Sequence, residues 1–598
     1  MFDCRTFFNK VGLVSYFLVI SSLIFFVVCR AYGVWSLVFR NTGRNEPVFL
    51  NIVNNDAIVI GVVLLLLYFG FFKTFIKSIK WVAYLLKAVV IFIIFFYAVD
   101  VLLLLKFFKR LHYHDILKYG TEIKAGLSFL IPVKALFFNL FSTEVIGIIL
   151  ASIFSLLLIS FIMFQVTGRH KKMHGRLLLI CGLCFSIFSF VPVDRIFLHG
   201  WAYQNLFAYN MPKGLEEPYS SDFIAALKEK RVKRKQICEG AGKRLDIILV
   251  IVESLSSCHS QFFSGINNYT PHLDAISKEN LSFTNFFANG FTTEHGLIAL
   301  LLGKVPLPIV GTGKHSAFEG FYQKESAAAF LSKVGYNTFF LTTGDLGFTN
   351  KGAWLAHIGF DTVEGAETFF YKKWPRFAFN AAPDEALFAY AIKRIGSLNS
   401  DQRPYFMVLE TVTSHLPFLD PEGKSNTEKA VITYVDRQLG VLYNKLADCG
   451  FFSNGVLIIT SDHRIMAPLS KAELGLYGGS AFARIPMVVA SGGKRKGKID
   501  ACFQQTDFCS SLKWFVSDQY EKDPWNGNFL HPEPTPPFCI LKNMANDYDL
   551  VYARCGSEEG YIKLQGDGTY LHQGQIKPEN VRLIIEKISS DRIFRTQK

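Results

Sequence analysis

Ile247–Val252 reads IILVIV and runs straight into Glu253. Val456–Thr460 reads VLIIT and runs into Ser461-Asp462-His463. Both are hydrophobic strands that give way to polar loops at chemically capable side chains. Between them, Asn289–Gly303 (NGFTTEHGLIALLLG) reads as a loop, a pair of hydroxyls and an apolar helix. In an open α/β sheet, ligands bind at the carboxyl ends of the strands. Two acids, an imidazole and a hydroxyl gathered there would form a mixed O/N metal site with a metal-activated nucleophile. Such a site is expected to attack a phosphate or sulfate ester.

The surrounding pattern extends this reading. Thr338–Leu341, Phe406–Leu409 and Met487–Ala490 read as further short apolar strands. Thr293–Leu302, Lys324–Lys333 and Glu428–Ala447 read as helices. Continuous apolar strands alternating with helices predict a buried parallel sheet covered on both faces. After Gly527 the texture changes. Asp549–Arg554, Gly560–Leu564 and Thr569–His572 read as strands with Gly turns, consistent with a small antiparallel C-terminal sheet.

The N-terminal third has another character. Half of the 598 residues are hydrophobic, 59 are Phe, and the mean hydropathy is +0.26. Five stretches come near the roughly 20 apolar residues that a membrane helix needs: Val11–Cys29, Ala57–Phe72, Trp81–Leu105, Val145–Gly168 and Leu177–Val193. The first lacks a small-residue cleavage site and reads as a retained helix. Phe129–Phe141, broken by Pro132 and Lys134, reads as an interfacial segment. Lys87 and Asp100 lie inside the third stretch, near its ends, where snorkelling would explain them. Lys73, Lys77 and Lys80 crowd one loop, and Arg169, Lys171, Lys172 and Arg176 another. The positive-inside rule places these loops in the cytoplasm and everything from Asp194 onward outside.

The expected organisation is therefore a five-helix transmembrane domain (1–200), a juxtamembrane linker (201–244) and an extracytoplasmic α/β domain (245–598). The linker holds the basic run Lys228–Lys235 (KEKRVKRK), either a solvated helical face or a lipid-binding patch. The net charge of +14 fits loops beside anionic lipid headgroups. With no helix-turn-helix, RNP or zinc-finger pattern, nucleic acid is not an expected partner. Seven of the 11 Cys follow residue 200, an odd number whose pairing cannot be read from spacing.

Each candidate residue also has an ordinary reading. A carboxylate such as Glu253 is often merely the first solvated residue after a strand. Asp462 would also suit a helix cap, and Thr292 or Thr293 would suit simple N-capping. A helix N-terminus nevertheless offers free N–H groups and positive potential to a phosphoryl group. A hydroxyl held there can become a nucleophile. His415, in TVTSHLPF (Thr411–Phe418), is either a surface-loop His or a group that touches a phosphate oxygen or leaving group.

The ordered series VIVESLSS, NGFTTEHG, TVTSHLPF and TSDH resembles the lipoteichoic acid synthase and phosphoglycerol transferase family, within the alkaline phosphatase/sulfatase superfamily. Gly359-Phe360-Asp361, Pro383-Asp384-Glu385, Arg484-Ile485-Pro486 and Gln505-Thr506-Asp507 are further echoes. The resemblance implies five membrane helices followed by an extracytoplasmic sulfatase-like domain, in a multi-pass protein of the bacterial inner (cell) membrane. It implies Glu253, Asp462 and His463 as ligands of one divalent metal, Mn²⁺ or Zn²⁺ with Mg²⁺ a further candidate. Thr293 would join that metal set and act as the nucleophile, preferred to Thr292 because Gly296 follows three residues later. His415 would contact substrate. The family's remaining substrate region falls near Phe348–Trp354 (FTNKGAW), which nominates Asn350 and Trp354, although no Arg is present and Trp354 is offset. Arg464 after the Asp-His pair is a second departure.

The implied reaction is phosphoglycerol transfer from phosphatidylglycerol, a phospholipid donor in the bilayer, to a hydroxyl of a glycan or polymer. Thr293 would carry a covalent phospho-threonine intermediate. Phosphoethanolamine transfer to lipid A or another glycan, phosphodiester hydrolysis, and a non-catalytic glycan-binding membrane protein are the alternatives.

Overall fold

The computed structural model describes residues 20, 22–35, 48–71, 80–107, 110–112, 179–184, 203–210, 219–233, 236–307, 316–322, 325–398, 403–416, 418–467, 469–523, 525–531, 539–542, 550–564 and 569–593. The chain divides into two compact units, one formed by most of residues 1–212 and one by most of residues 213–598.

In the first unit, Val48–Phe71 and Lys80–Phe107 are helices of 24 and 28 residues. Among the described residues these two are long and apolar enough to cross a membrane, and Ser22–Trp35 is a shorter apolar helix. Of the five expected spans, 145–168 lies outside the described residues, as does the interfacial segment 129–141. Only 179–184 of the fifth span is described, and it is helical.

Asp100 corrects one expectation. It does not snorkel. It is fully buried and accepts both Arg110 Nε (2.8 and 2.9 Å) and the backbone N–H of Leu111 (2.8 Å). Arg30 pairs in the same way with buried Asp56, which also accepts the hydroxyl of Tyr97. Burying these charges is tolerable only because each acid has its own base. The Lys87 side chain lies outside the described residues.

The second unit is built on a nine-stranded sheet. The strands of this unit are β1 (Gln236–Glu239), β2 (Asp246–Val252), β3 (Leu281–Phe287), β4 (Asn337–Thr342), β5 (Thr362–Glu364), β6 (Tyr405–Glu410), β7 (Gly455–Ser461), β8 (Arg484–Ala490), β9 (Gly497–Ile499), β10 (Phe503–Gln504), β11 (Gln519–Lys522), β12 (Cys539–Lys542), β13 (Leu550–Cys555), β14 (Glu558–Leu564) and β15 (Tyr570–Gly574). The large sheet runs β10-β3-β8-β7-β2-β6-β4-β5, with β9 beside β3.

Its central strands are continuously apolar between their ends because both faces are covered. Ile247, Leu249 and Ile251 enter one core with Val456, Ile458, Phe406 and Val408. Ile248, Val250 and Val252 enter the other with Leu457, Ile459, Met407 and Leu409. Each fully buried branched side chain is worth about 2 kcal/mol.

The sheet is mixed rather than parallel throughout. β8 runs antiparallel to both β3 and β7. A period of two does not record strand direction, so the sequence pattern could not separate these cases. β3 also escaped the reading, since LSFTNFF mixes polar residues into a strand that bulges against β8 between Phe283 and Phe286.

β12 to β15 form the expected antiparallel C-terminal sheet, closed by the helix Pro578–Ile593. Part of the expected linker is folded onto this unit. The helix Ser221–Lys233 bonds Lys230 to Glu586 (2.6 Å), and β1 pairs with β11.

Candidate active site

The site arises where parallel strands end together. In register, Ile251 of β2 lies opposite both Glu410 of β6 and Thr460 of β7, and Val252 lies opposite Ser461. Glu253 and Asp462 therefore leave the sheet side by side. Ser254, just beyond, adopts a positive φ of 57°, which turns the chain sharply and aims its N–H at Asp462 Oδ1 (2.9 Å). A non-glycine residue held there is strained and needs surrounding structure to fix it.

Glu253, Asp462 and His463 are all buried and offer three ligand atoms within 4.8 Å of one another. His463 Nδ1 lies 2.9 Å from the carbonyl oxygen of Arg464. A carbonyl can only accept, so Nδ1 carries a proton and Nε2 faces the two acids, 3.2 Å from Asp462 Oδ2 and 3.7 Å from Glu253 Oε1. Asp462 Oδ1 is occupied by the N–H groups of Ser254 and His463, whereas buried Asp462 Oδ2 and His463 Nε2 have no hydrogen-bond partner.

Burial and the charge of Glu253 push Asp462 up to about 7. Burial alone would lower His463, but the two carboxylates outweigh it and raise that group. Without a cation, the cluster holds protons to relieve its negative charge. A backbone-oriented imidazole and an acid with one free oxygen are what a divalent ion requires. The residues present fit such an ion.

Thr293 opens the helix Thr293–Leu302. Its Oγ1 donates to Glu253 Oε2 (3.2 Å), whereas Thr292 is the N-cap, its hydroxyl accepting from the His295 N–H. The two threonines thus divide the roles of nucleophile candidate and cap. Gly296 lets this helix approach, because a Cβ there would lie 2.2 Å from the Asp462 carbonyl oxygen. Gln505 Nε2 donates to that same oxygen (2.7 Å) and to the oxygen of Ser461 (2.8 Å), and its Oε1 accepts the Asn289 N–H (2.9 Å). The Gln505-Thr506-Asp507 echo is accordingly a shelf under the site.

His415 stands on the loop after β6. Asp384 holds this loop, accepting the N–H groups of Val412 (2.9 Å) and Thr413 (3.3 Å), which explains the Pro383-Asp384-Glu385 echo. Burial pushes Asp384 up to about 7. Ser414 ties the loop to the Glu253 carbonyl (2.6 Å). His415 Nδ1 bonds to the carbonyl of Leu416, and the ring packs edge-on against Phe379 at 4.6 Å. Burial pulls His415 down to about 4, so the imidazole is neutral with Nε2 as its acceptor.

Two nominations fare differently. Trp354 does not line the site. It is fully buried, stacks on Phe318 at 4.2 Å and donates Nε1 to the Phe321 carbonyl (2.9 Å), so it is a core residue. Asn350 is exposed and has a positive φ of 57°. The following Lys351 is the residue that the sequence reading passed over. Its Nζ meets buried Glu410 Oε2 at 2.6 Å, and its charge is felt at His415. Glu410 Oε1 has no hydrogen-bond partner. A signal was available, because Lys at the first position of the helix Lys351–His357 opposes the helix dipole. Arg464, the second departure, is structural. It pairs in the interior with Glu473 (2.7 Å).

Residues 246–513 match the sulfatase family model. The mixed α/β fold and the site at the strand ends agree with that similarity, which covers 246–513. The chain is 26% identical over 343 residues to lipoteichoic acid synthase 1 of Bacillus subtilis (strain 168), covering 50% of this chain and 52% of that protein. It is 24% identical over 246 residues to phosphoglycerol transferase I of Escherichia fergusonii, covering 37% of this chain and 31% of that one. The chain thus spans about half or less of the length of these relatives. The crystal structure of the lipoteichoic acid synthase LtaP from Listeria monocytogenes shares the fold with a TM-score of 0.50 and 17% identity, covering 62% of this chain and 98% of that one.

Proposed function

We propose that this protein transfers the phosphoglycerol headgroup of phosphatidylglycerol to a hydroxyl of a glycan or polymer, through a phospho-threonine on Thr293. The relatives named above support phosphoglycerol transfer. The observation that carries the reading in this chain is the Thr293 hydroxyl, set at a helix N-terminus and 3.2 Å from Glu253, beside an acid and an imidazole whose inner atoms have no hydrogen-bond partner.

Glu253, Asp462 and His463 would hold one divalent ion, with Thr293 beside it. When bound, that ion offsets phosphodiester charge and lowers the pKa of a neighbouring hydroxyl. Thr293 Oγ1 passes its proton to Glu253 Oε2, its hydrogen-bond partner, and attacks phosphorus. The bond to diacylglycerol breaks, and the departing oxygen takes a proton from water. The helix N-terminus favours the negative phosphoryl group during this step. Neutral His415, its Nδ1 committed to the Leu416 carbonyl, offers Nε2 to take a proton from the acceptor hydroxyl as that hydroxyl displaces Thr293. Lys351, steadied by Glu410, would bind the headgroup beside Asn350. The apolar N-terminal helices would anchor the catalytic unit on the extracytoplasmic side and raise the effective concentration of lipid.

The test is transfer from labelled lipid. Membranes containing the protein are given phosphatidylglycerol or phosphatidylethanolamine, each labelled in the headgroup. The glycerol label should leave the lipid pool and, transiently, mark the protein, and Thr293→Ala should abolish both. Undiminished labelling of Thr293→Ala refutes the nucleophile, and release of the ethanolamine label alone refutes the donor.

A further inference from the structure

A second reactive cluster lies away from Thr293. Cys502, just before β10, is partly buried and packs against an apolar cluster that contains fully buried Cys539, the first residue of β12. The neighbouring backbones are locked together. Gln504 Oε1 accepts the Ile540 N–H (2.9 Å), and Asn289 Nδ2 bridges Gln504 Oε1 (2.8 Å) and the Ile540 carbonyl (2.7 Å). The two thiols share this cluster and lie close enough to influence one another's ionisation. Arg554, the cross-strand partner of Cys539, and Arg484 place positive charge beside Cys502. The transferase reading uses none of these groups.

We propose that Cys502 and Cys539 form a redox-active dithiol that closes to a disulfide, stapling the C-terminal sheet to the large sheet beside the Gln504-Gln505 shelf. The geometry also assigns the order of events. The neighbouring Cys539 thiol, followed by the Arg554 and Arg484 charges, lowers Cys502, and Cys502 is also the more accessible of the two, so it is the sulfur that reacts first. The Cys502 thiolate attacks one sulfur of an external disulfide, forms a mixed disulfide and expels the other sulfur as a thiolate. Cys539 then loses its proton and attacks Cys502 Sγ, expelling the second external thiolate. The protein dithiol is oxidised by two electrons and the external disulfide is reduced to two thiols. Cys555, one residue beyond the partner of Cys539, is the nearby competitor.

The experiment uses the full chain in detergent, treated with oxidised glutathione or with dithiothreitol, then alkylated and mapped without reduction. The expected product is a peptide pair joining Cys502 to Cys539, with the melting temperature raised by roughly 5 °C over the reduced protein. Cys539→Ser should leave glutathione trapped on Cys502, whereas Cys555→Ser should change neither the link nor the melting shift. Alkylation of both Cys502 and Cys539 after oxidation, or a link from Cys502 to Cys555, overturns the proposal.

Discussion

A methyl group at Gly296 would sit 2.2 Å from the Asp462 carbonyl oxygen, which Gln505 already engages from another side. Neither backbone can yield without moving Thr293 or Asp462. Gly296→Ala should therefore cost about 2 kcal/mol by overpacking and depress headgroup release far more than Gly475→Ala, whose new Cβ would meet nothing within 4 Å. Thermal melts and transfer rates of the two variants check this. A second expectation concerns Glu253, Asp462 and His463. Chelation should lower the melting temperature, and adding Mn²⁺ or Zn²⁺ should restore it, since a ligand at 100 times its Kd stabilises by about 2.7 kcal/mol. Glu253→Gln should remove most of that response. A wild-type protein whose melt ignores both chelator and metal would show that these three residues do not hold an ion.

At the scale of elements, the chemistry depends on how strands and helices end. β2, β6 and β7 end in register, which brings Glu253, Thr411 and Asp462 to one edge. The segments after β4, β5 and β6 meet through Phe348, Phe379 and His415, and Thr349, Asn350, Phe379 and Asn380 all hold positive φ there. Strain gathered at a site is maintained by the packing beneath it. Trp354, a buried residue of the helix that begins at Lys351, supplies part of that packing. Trp354→Ala should destabilise the protein by about 3–5 kcal/mol, while Trp354→Phe should preserve most of the stability and leave the KM for lipid unchanged. A raised KM in a stable Trp354→Phe protein would return Trp354 to the substrate surface.

For the whole molecule, several acids are buried with few opposing charges. Burial holds Asp384, Asp462 and Asp507 up at about 7, against about 3.9 in an unfolded chain. Groups raised in this way contribute stability while they are protonated, and that contribution is lost as pH rises through the folded value. Asp420, Glu473 and Asp523 are lowered and act oppositely, losing their contribution only as pH falls through their depressed values. The metal-free chain should thus melt at a higher temperature at pH 5.5 than at pH 8. Saturating divalent ion should reduce the difference by keeping Asp462 ionised. A melting temperature that climbs steadily from pH 5.5 to 8 without metal would contradict this account.

Sequence alone determined whatever follows from local composition. Runs such as IILVIV and VLIIT specify doubly covered strands, because only a strand buried on both faces tolerates apolar residues at every position. Those runs end at Glu253, Asp462 and His463, and the start of an apolar helix marks Thr293, so the chemical group was legible before any fold. The C-terminal sheet was legible from its glycine turns, and the apolar character of the N-terminal segments from their composition. Tertiary structure decided what depends on distant partners. The reversed direction of β8, the capture of Asp100 by Arg110 in place of snorkelling, the core position of Trp354, the Lys351–Glu410 pair and the meeting of Cys502 with Cys539 all join residues through contacts that leave no periodic trace. A side chain's identity records what it can do, but only the closed chain sets which groups it faces and how much water remains between them.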